Sequence, residues 1–339
     1  MREFLKGVGR AKLAPRYTQR LPELRKDPIT GRWVIISTDL ARRPSQFLRI
    51  PVVAKSASCQ FCAGHERETP PEVLSYRDGS NHWILRFVPN KYPALRVEGG
   101  IEREGEGMFD KMSGVGAHEV IVECPEHQIS LAELTEKHVE NLFWAFRDRI
   151  LDLKRDIRLR YVLLFKNHGE AAGASLEHSH SQLIALPVVP AQVQEEIDGG
   201  LRYHKFKERC VYCDIVRQES ANGARVILGT DNMLVAAPYA SRFPFETWVI
   251  PRRHSSHFET ADASVIHPLA CAVRATIRKL ERVLEFPSYN FLIHTSPVQE
   301  APLEHYHWHM QIIPRLTKVA GFEWGAGFFI NPTPPEEAA

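Results

Sequence analysis

The sequence has no apolar run approaching the ~20 residues that a membrane-spanning helix requires, and its beginning lacks the continuous apolar core of a secretory signal. No membrane association is expected, and the chain reads as cytoplasmic. A charge surplus is missing too: 43 Lys and Arg stand against 41 Asp and Glu, a net charge of +2. Nucleic-acid and anionic-membrane partners usually require a clustered basic excess, so neither is expected, whereas phosphorylated small molecules remain easy to hold. The local exception is residues 1–26, read as a solvated basic arm. Cysteine is scarce, with six in 339 residues, which excludes a disulfide scaffold. Four of the six fall in two Cys-x-x-Cys pairs, Cys59/Cys62 and Cys210/Cys213, while Cys124 and Cys271 stand apart. In such a chain paired thiols favour metal over a disulfide, and neither pair has the strand-to-helix setting of a redox motif.

What the chain does contain is an ordinary globular composition, 44% hydrophobic and 25% charged, long enough for about two domains. Its most informative stretch is Glu177-His178-Ser179-His180-Ser181-Gln182. Alternation along it predicts a strand, which places His178, His180 and Gln182 on one face. A similar stretch returns as Glu304-His305-Tyr306-His307-Trp308-His309, and Pro187 and Pro314 close the two. His127 precedes His178 by 51 residues and His254 precedes His305 by 51; Asn167 precedes His178 by 11, as His294 precedes His305. The spacing predicts a duplicated α+β unit, a helix on an antiparallel sheet, joined near Pro187–Gly200. On this register His309 stands where the first copy has Gln182. Ser130 with Glu133 predicts the start of the first helix, a second helix is expected over 262–284, and the Gly- and Glu-rich stretch 98–116 reads as a mobile loop.

Each copy then has a Cys-x-x-Cys, a His after a strand and a His on the last strand. That is the Cys2His2 set of a closed, tetrahedral structural zinc site. One set is Cys59, Cys62, His127 and His178; the other is Cys210, Cys213, His254 and His305. If His178 serves a metal, His180 is held on the same strand with its ring available. A neutral imidazole can attack phosphorus and form a labile nitrogen–phosphorus bond. Gln182 can donate to a non-bridging phosphate oxygen, and Ser175, Ser181 and the amides around Gly173 can share that role.

These residues resemble the histidine-triad superfamily, specifically its duplicated branch, the galactose-1-phosphate uridylyltransferases. The resemblance runs from Asp27-Pro28-Ile29-Thr30-Gly31-Arg32-Trp33 to Ala320-Gly321-Phe322-Glu323, and His-x-His-x-Gln is its specific part. It implies two tandem histidine-triad-like domains, 27–190 (catalytic) and 191–339 with a C-terminal tail. It implies that His180 carries the nucleotidyl group, that Gln182 and Ser175 hold its phosphate, and that Arg43, Asn90 and Asn167 contact nucleotide or phosphate. Glu323 would contact the sugar, in a homodimer across the subunit interface. In that family a second metal can be held instead by a carboxylate and three histidines, here Glu196, His294, His307 and His309; the Cys210/Cys213 pair favours the zinc set.

Three positions depart from the family pattern: Leu40 for an Arg, Ser179 for a Pro, and Lys91 for an Asp near the uridine. A second branch, similar to plant ADP-glucose phosphorylase, matches around Tyr92-Pro93-Ala94-Leu95, the His305 stretch and Gly321-Phe322-Glu323. The expected activity is transfer of UMP between a UDP-hexose and a hexose 1-phosphate, with ADP-sugar phosphorolysis, phosphate as acceptor, as the alternative. Different in class are a nucleotide hydrolase or nucleotide-binding protein centred on His305, His307 and His309, and a zinc-stabilised interaction module without catalysis.

Overall fold

A computed structural model of the chain describes residues 21–37, 59–127 and 130–339. Arg43 and Leu40 lie outside them, as does most of the 1–26 arm. Fifteen strands follow in chain order: β1 Glu23–Lys26, β2 Trp33–Ile36, β3 Leu74–Arg77, β4 Trp83–Pro89, β5 Arg103–Glu106, β6 Phe109–Met112, β7 Ala117–Val122, β8 Tyr161–His168, β9 His180–Leu186, β10 Val226–Gly229, β11 Met233–Ala236, β12 Thr247–Pro251, β13 Tyr289–His294, β14 His309–Pro314 and β15 Phe329–Asn331. Six helices accompany them: α1 Glu136–Leu153, α2 Ala191–Lys207, α3 Val211–Asn222, α4 Ala263–Leu284, α5 Gly321–Ala326 and α6 Pro335–Ala338.

The expected duplication is present, but the two half-sheets are fused. Ten strands form one sheet in the order β10-β11-β12-β14-β13-β8-β9-β7-β4-β3, which reads as a palindrome about the antiparallel β8/β13 pair. Each half contributes a five-stranded antiparallel sheet, so β7 corresponds to β12, β8 to β13 and β9 to β14. Helices α1 and α4 cover one face, where Phe143, Phe146, Val273 and Ile277 merge with Phe291 and Ile312 in one buried core. On the other face α2 and α3 lay Val193, Val211, Tyr212 and Val216 against Leu234, Trp248 and Ile250.

Local chemistry explains where the expectations shift. Ser130 caps only the short 3-10 turn Leu131–Glu133, its hydroxyl accepting from the Ala132 N–H. The helix α1 opens later, where Thr135 accepts from the His138 N–H. Asp262 caps α4 in the same way through Ser264, close to the expected start. The stretch 98–116 is not structureless, because β5 and β6 pair as an exposed hairpin. The end of the basic arm is not solvated either: β1 pairs with β2, and buried Arg25 bonds Glu336 at 2.9 Å.

Helix α2 approaches two backbone segments too closely for side chains. A Cβ on Gly199 would stand 1.9 Å from the Ile29 carbonyl oxygen, and one on Gly200 would stand 2.3 Å from that of His305. Helix propensity alone favours Ala over Gly by about 1 kcal/mol. Here overpacking should reverse the sign: Gly199→Ala is expected to destabilise by about 1–3 kcal/mol, read as a lowered urea midpoint.

Candidate active site and metal centres

Strand β9 begins at His180, with His178 just before it. The partner strand still holds this stretch extended, since the Glu123 N–H donates to the Ser179 carbonyl at 3.2 Å. His178 turns into the first thiol pair. Its Nδ1 lies 3.5 Å from Cys59 Sγ and 3.6 Å from Cys62 Sγ, and His127 Nδ1 lies 3.5 Å from Cys62 Sγ. Metal–sulfur and metal–nitrogen bonds of about 2.3 and 2.0–2.1 Å at tetrahedral angles would set sulfur and nitrogen roughly 3.5 Å apart. The four donors therefore fit a tetrahedral ion. His178 Nε2 donates to the Cys124 carbonyl at 2.8 Å, which leaves Nδ1 as the lone pair facing the thiols.

The second centre differs from expectation by one ligand. Cys210, Cys213, His254 and His307 bring their donor atoms within 4.8 Å of one another, and His305 does not take part. Cys213 Sγ lies 3.4 Å from His254 Nδ1 and 3.6 Å from His307 Nδ1. His305 is half-buried, its ring 6.3 Å from that of His204. The cause is a longer connection: β14 pairs His309 opposite His294, so two more residues separate these than separate His180 from Asn167. The equal 51-residue intervals were a coincidence of that insertion. The true counterpart of His178-x-His180-x-Gln182 is His307-x-His309-x-Gln311, a pattern visible in the sequence itself. Gln182 thus corresponds to Gln311, not to His309.

With His307 at the thiols, the carboxylate-and-histidine group is divided. Glu196, His294 and His309 remain together and could hold a metal ion. Burial opposes the Glu196 charge, but His294, 3.2 Å away, outweighs it and holds the carboxyl at about 2. His309, the counterpart of His180, is walled in: its ring stacks on His294 at 4.7 Å and meets Tyr212 at 5.0 Å and Trp248 at 5.2 Å.

His180 shares one feature with His309, whose Nδ1 lies 3.2 Å from the His307 carbonyl, but its ring packs against Phe61 and not among a histidine, a tyrosine and a tryptophan. Its Nδ1 lies 2.7 Å from the His178 carbonyl, to which it donates, so Nε2 keeps the lone pair. Burial, then the Lys166 charge, hold the imidazole below its ordinary value, so it is neutral at neutral pH. Phe61, in the middle of the first Cys-x-x-Cys, packs 5.5 Å from the His180 ring and 6.0 Å from that of His178. Gln182 follows on the same face. Asn167 lies across from His180 on β8, and the loop behind it turns through Gly169 and Gly173, both at positive φ (77° and 89°). Asn290 of the second half steadies this corner, donating to Asn167 Oδ1 at 2.8 Å and to the Ala172 carbonyl at 2.9 Å. Asn90 joins the group through His118. Ser175 is exposed on the loop, and Glu323 accepts from the Ala320 N–H at the start of α5, which packs on β15 in the separate three-stranded sheet.

Three participants escaped the sequence reading. His118 Nε2 lies 3.1 Å from Gln182 Oε1. Beneath β9, on its helix-covered face, Lys166 donates to Glu123 at 2.7 Å and to Ser179 Oγ and the His180 carbonyl at 3.0 Å each. Ser179 and Ser181 both donate to Glu123. Burial would raise the Glu123 carboxyl, but the Lys166 ammonium more than compensates and keeps it ionised. The equivalent positions in the second half, by sheet register, are Pro251, Ile293, Trp308 and Met310. A lysine directly after the apolar run Tyr161–Phe165, still within the strand, was the available signal.

The galactose-1-phosphate uridyl transferase N-terminal domain matches residues 12–190. The chain belongs to the galactose-1-phosphate uridylyltransferase family. It is therefore a member of a family of nucleotidyl-transferring enzymes, and a domain model of unknown function matches residues 116–339. ADP-glucose phosphorylase of Arabidopsis thaliana is 39% identical over 325 residues, covering 94% of this chain and 91% of that protein. Galactose-1-phosphate uridylyltransferase of Thermotoga maritima is 29% identical, covering 94% and 96%. The crystal structure of the Arabidopsis ADP-glucose phosphorylase with bound ADP-glucose superposes with a TM-score of 0.80 at 37% identity, covering 94% of this chain and 97% of that one. A uridylyltransferase structure gives 0.74 at 27%, covering 93% and 95%. Among the described residues no helix is long and apolar enough to cross a membrane.

Two substitutions test this geometry. His307→Ala should halve the metal bound per chain, measured by elemental analysis, whereas His305→Ala should leave it unchanged. Lys166→Met leaves a buried carboxylate unpaired and should cost about 3–5 kcal/mol of stability. Adding Glu123→Leu, which makes the site resemble its apolar counterpart, should recover most of that loss in the same denaturation assay.

Proposed function

We propose that this chain transfers a nucleotidyl group by a two-step exchange through His180. In the first step Nε2 of His180 attacks the α-phosphorus of a nucleoside-diphosphate sugar. The bond to the bridging oxygen breaks, and sugar 1-phosphate leaves with the electron pair. In the second step the acceptor's phosphate oxygen attacks the same phosphorus and the nitrogen–phosphorus bond breaks, returning His180 to its starting form. The single observation that carries this reading is the His180 tautomer: Nδ1 is committed to the His178 carbonyl, which leaves Nε2 free beside Gln182 and Asn167. Two Cys2His2 centres would hold zinc in a structural role, the first through Cys59, Cys62, His127 and His178 and the second through Cys210, Cys213, His254 and His307.

The nucleotide we infer is adenylyl, with phosphate as acceptor, which makes the reaction an ADP-sugar phosphorolysis. Support comes from the greater identity to ADP-glucose phosphorylase, 39%, than to the Thermotoga uridylyltransferase, 29%, and from Lys91 and Tyr92-Pro93-Ala94-Leu95. The second reading, UMP exchange between a UDP-hexose and a hexose 1-phosphate, rests on the family model. Intact-mass measurement after incubation with ADP-glucose or with UDP-glucose separates the two. An AMP adduct formed from ADP-glucose is expected, a UMP adduct alone would favour the second reading, and His180→Gly should form neither. Labelling of that variant would show the nucleophile to be another residue.

A further inference from the structure

The two copies of the His-x-His-x-Gln strand hold their glutamine amides in opposite senses. In the first copy the Ala94 N–H donates to His118 Nδ1 at 3.1 Å, so the ring proton of a neutral His118 must sit on Nε2. Two groups face that Nε2 at 3.1 Å, Gln182 Oε1 and the Asn90 amide nitrogen; because the backbone Ala94 N–H can only donate, the Nε2–H is directed to Gln182 Oε1 and the Asn90 NH2 stands beside it as a second donor. The Gln182 carbonyl is thereby turned toward His118, and among the described residues its NH2 has no hydrogen-bond acceptor. Asn90 is oriented alongside, its Oδ1 accepting from the Tyr92 N–H at 2.9 Å.

In the second copy the position is reversed. Val120 pairs with Gln182 and Trp248 pairs with Gln311, so two residues earlier in each strand His118 and Glu246 are equivalent. Glu246 can only accept when ionised. Its Oε2 takes the N–H groups of Arg242 and Phe243, and its Oε1 takes the Gln311 NH2 at 2.6 Å. The Gln311 carbonyl faces His294 Nε2 at 3.3 Å. A donor at this position frees the amide NH2; an acceptor consumes it.

We propose that His118 is a positioning residue that orients the Gln182 amide so its NH2 meets the phosphate transferred to His180, and that Glu246 removes this function from the second copy. The proposal rests on the nucleotidyl-transfer reading for its kinetic part, while the amide orientation can be observed without any nucleotide.

The kinetic test is single-turnover formation of the His180 adduct from ADP-glucose in the metal-loaded protein. His118→Ala should slow it by about 10²-fold, as losing one preorganised donor does, with little change in substrate affinity. In a Gln182→Ala background the same substitution should cost nothing further, since it acts through that side chain. His118→Gln, which retains a donor near the Nε2 position, should recover most of the rate, and His118→Glu should not. A wild-type rate for His118→Ala, or losses that multiply in the double variant, would overturn the proposal. The second measurement is the Gln182 side-chain amide resonance in glutamine-labelled protein, which His118→Glu should shift as the NH2 turns to the carboxylate. An unchanged resonance overturns the orientation. A shifted resonance in a protein whose wild-type form gives no adduct with ADP-glucose or UDP-glucose supports the orientation and removes the transfer reading instead.

Discussion

The antiparallel pairing of β8 with β13 is the constraint on which the rest of the molecule depends. Its register sets Asn290 opposite Asn167 and Phe291 opposite Lys166, and so fixes the two halves about an approximate two-fold along one sheet. Because side chains on a strand alternate, a slip of one residue would move every inward group to the other face. The helices, the two Cys2His2 groups and the strand that carries His180 all take their positions from that seam.

Within this symmetry the two halves spend their polar groups differently. Below His180 the first half buries a lysine, a glutamate and two serines; below His309 the second half buries proline, isoleucine, tryptophan and methionine. A fully buried ion pair is weak support for stability, since apolar side chains fill such places equally well. The second half is a demonstration of that in the same fold. The bond from Lys166 to the His180 carbonyl instead ties the network to the backbone of the residue proposed to carry the nucleotidyl group.

Much of this was legible because it is local. Period-two alternation marked both histidine strands, the Cys-x-x-Cys pairs marked one side of each Cys2His2 group, and the helix expected over 262–284 coincides with α4. Equal spacing misled at His305, because an interval counts residues without knowing whether a loop has lengthened. The fused sheet was not legible: an edge strand that pairs with a second half has the same alternation as one that does not. His118 was hidden for a related reason, since its role lies in which ring nitrogen an Ala94 amide occupies, and no spacing encodes a tautomer.

Asn290 gives the duplication a further meaning. It belongs to the half whose own histidine is walled in, yet its amide holds Asn167 and the loop carbonyl of Ala172 in the other half. After duplication, then, the second half was free to lose chemistry but not to lose its place. Its strand became part of its neighbour's scaffolding, and the two copies could diverge in reactivity only as long as neither left the other.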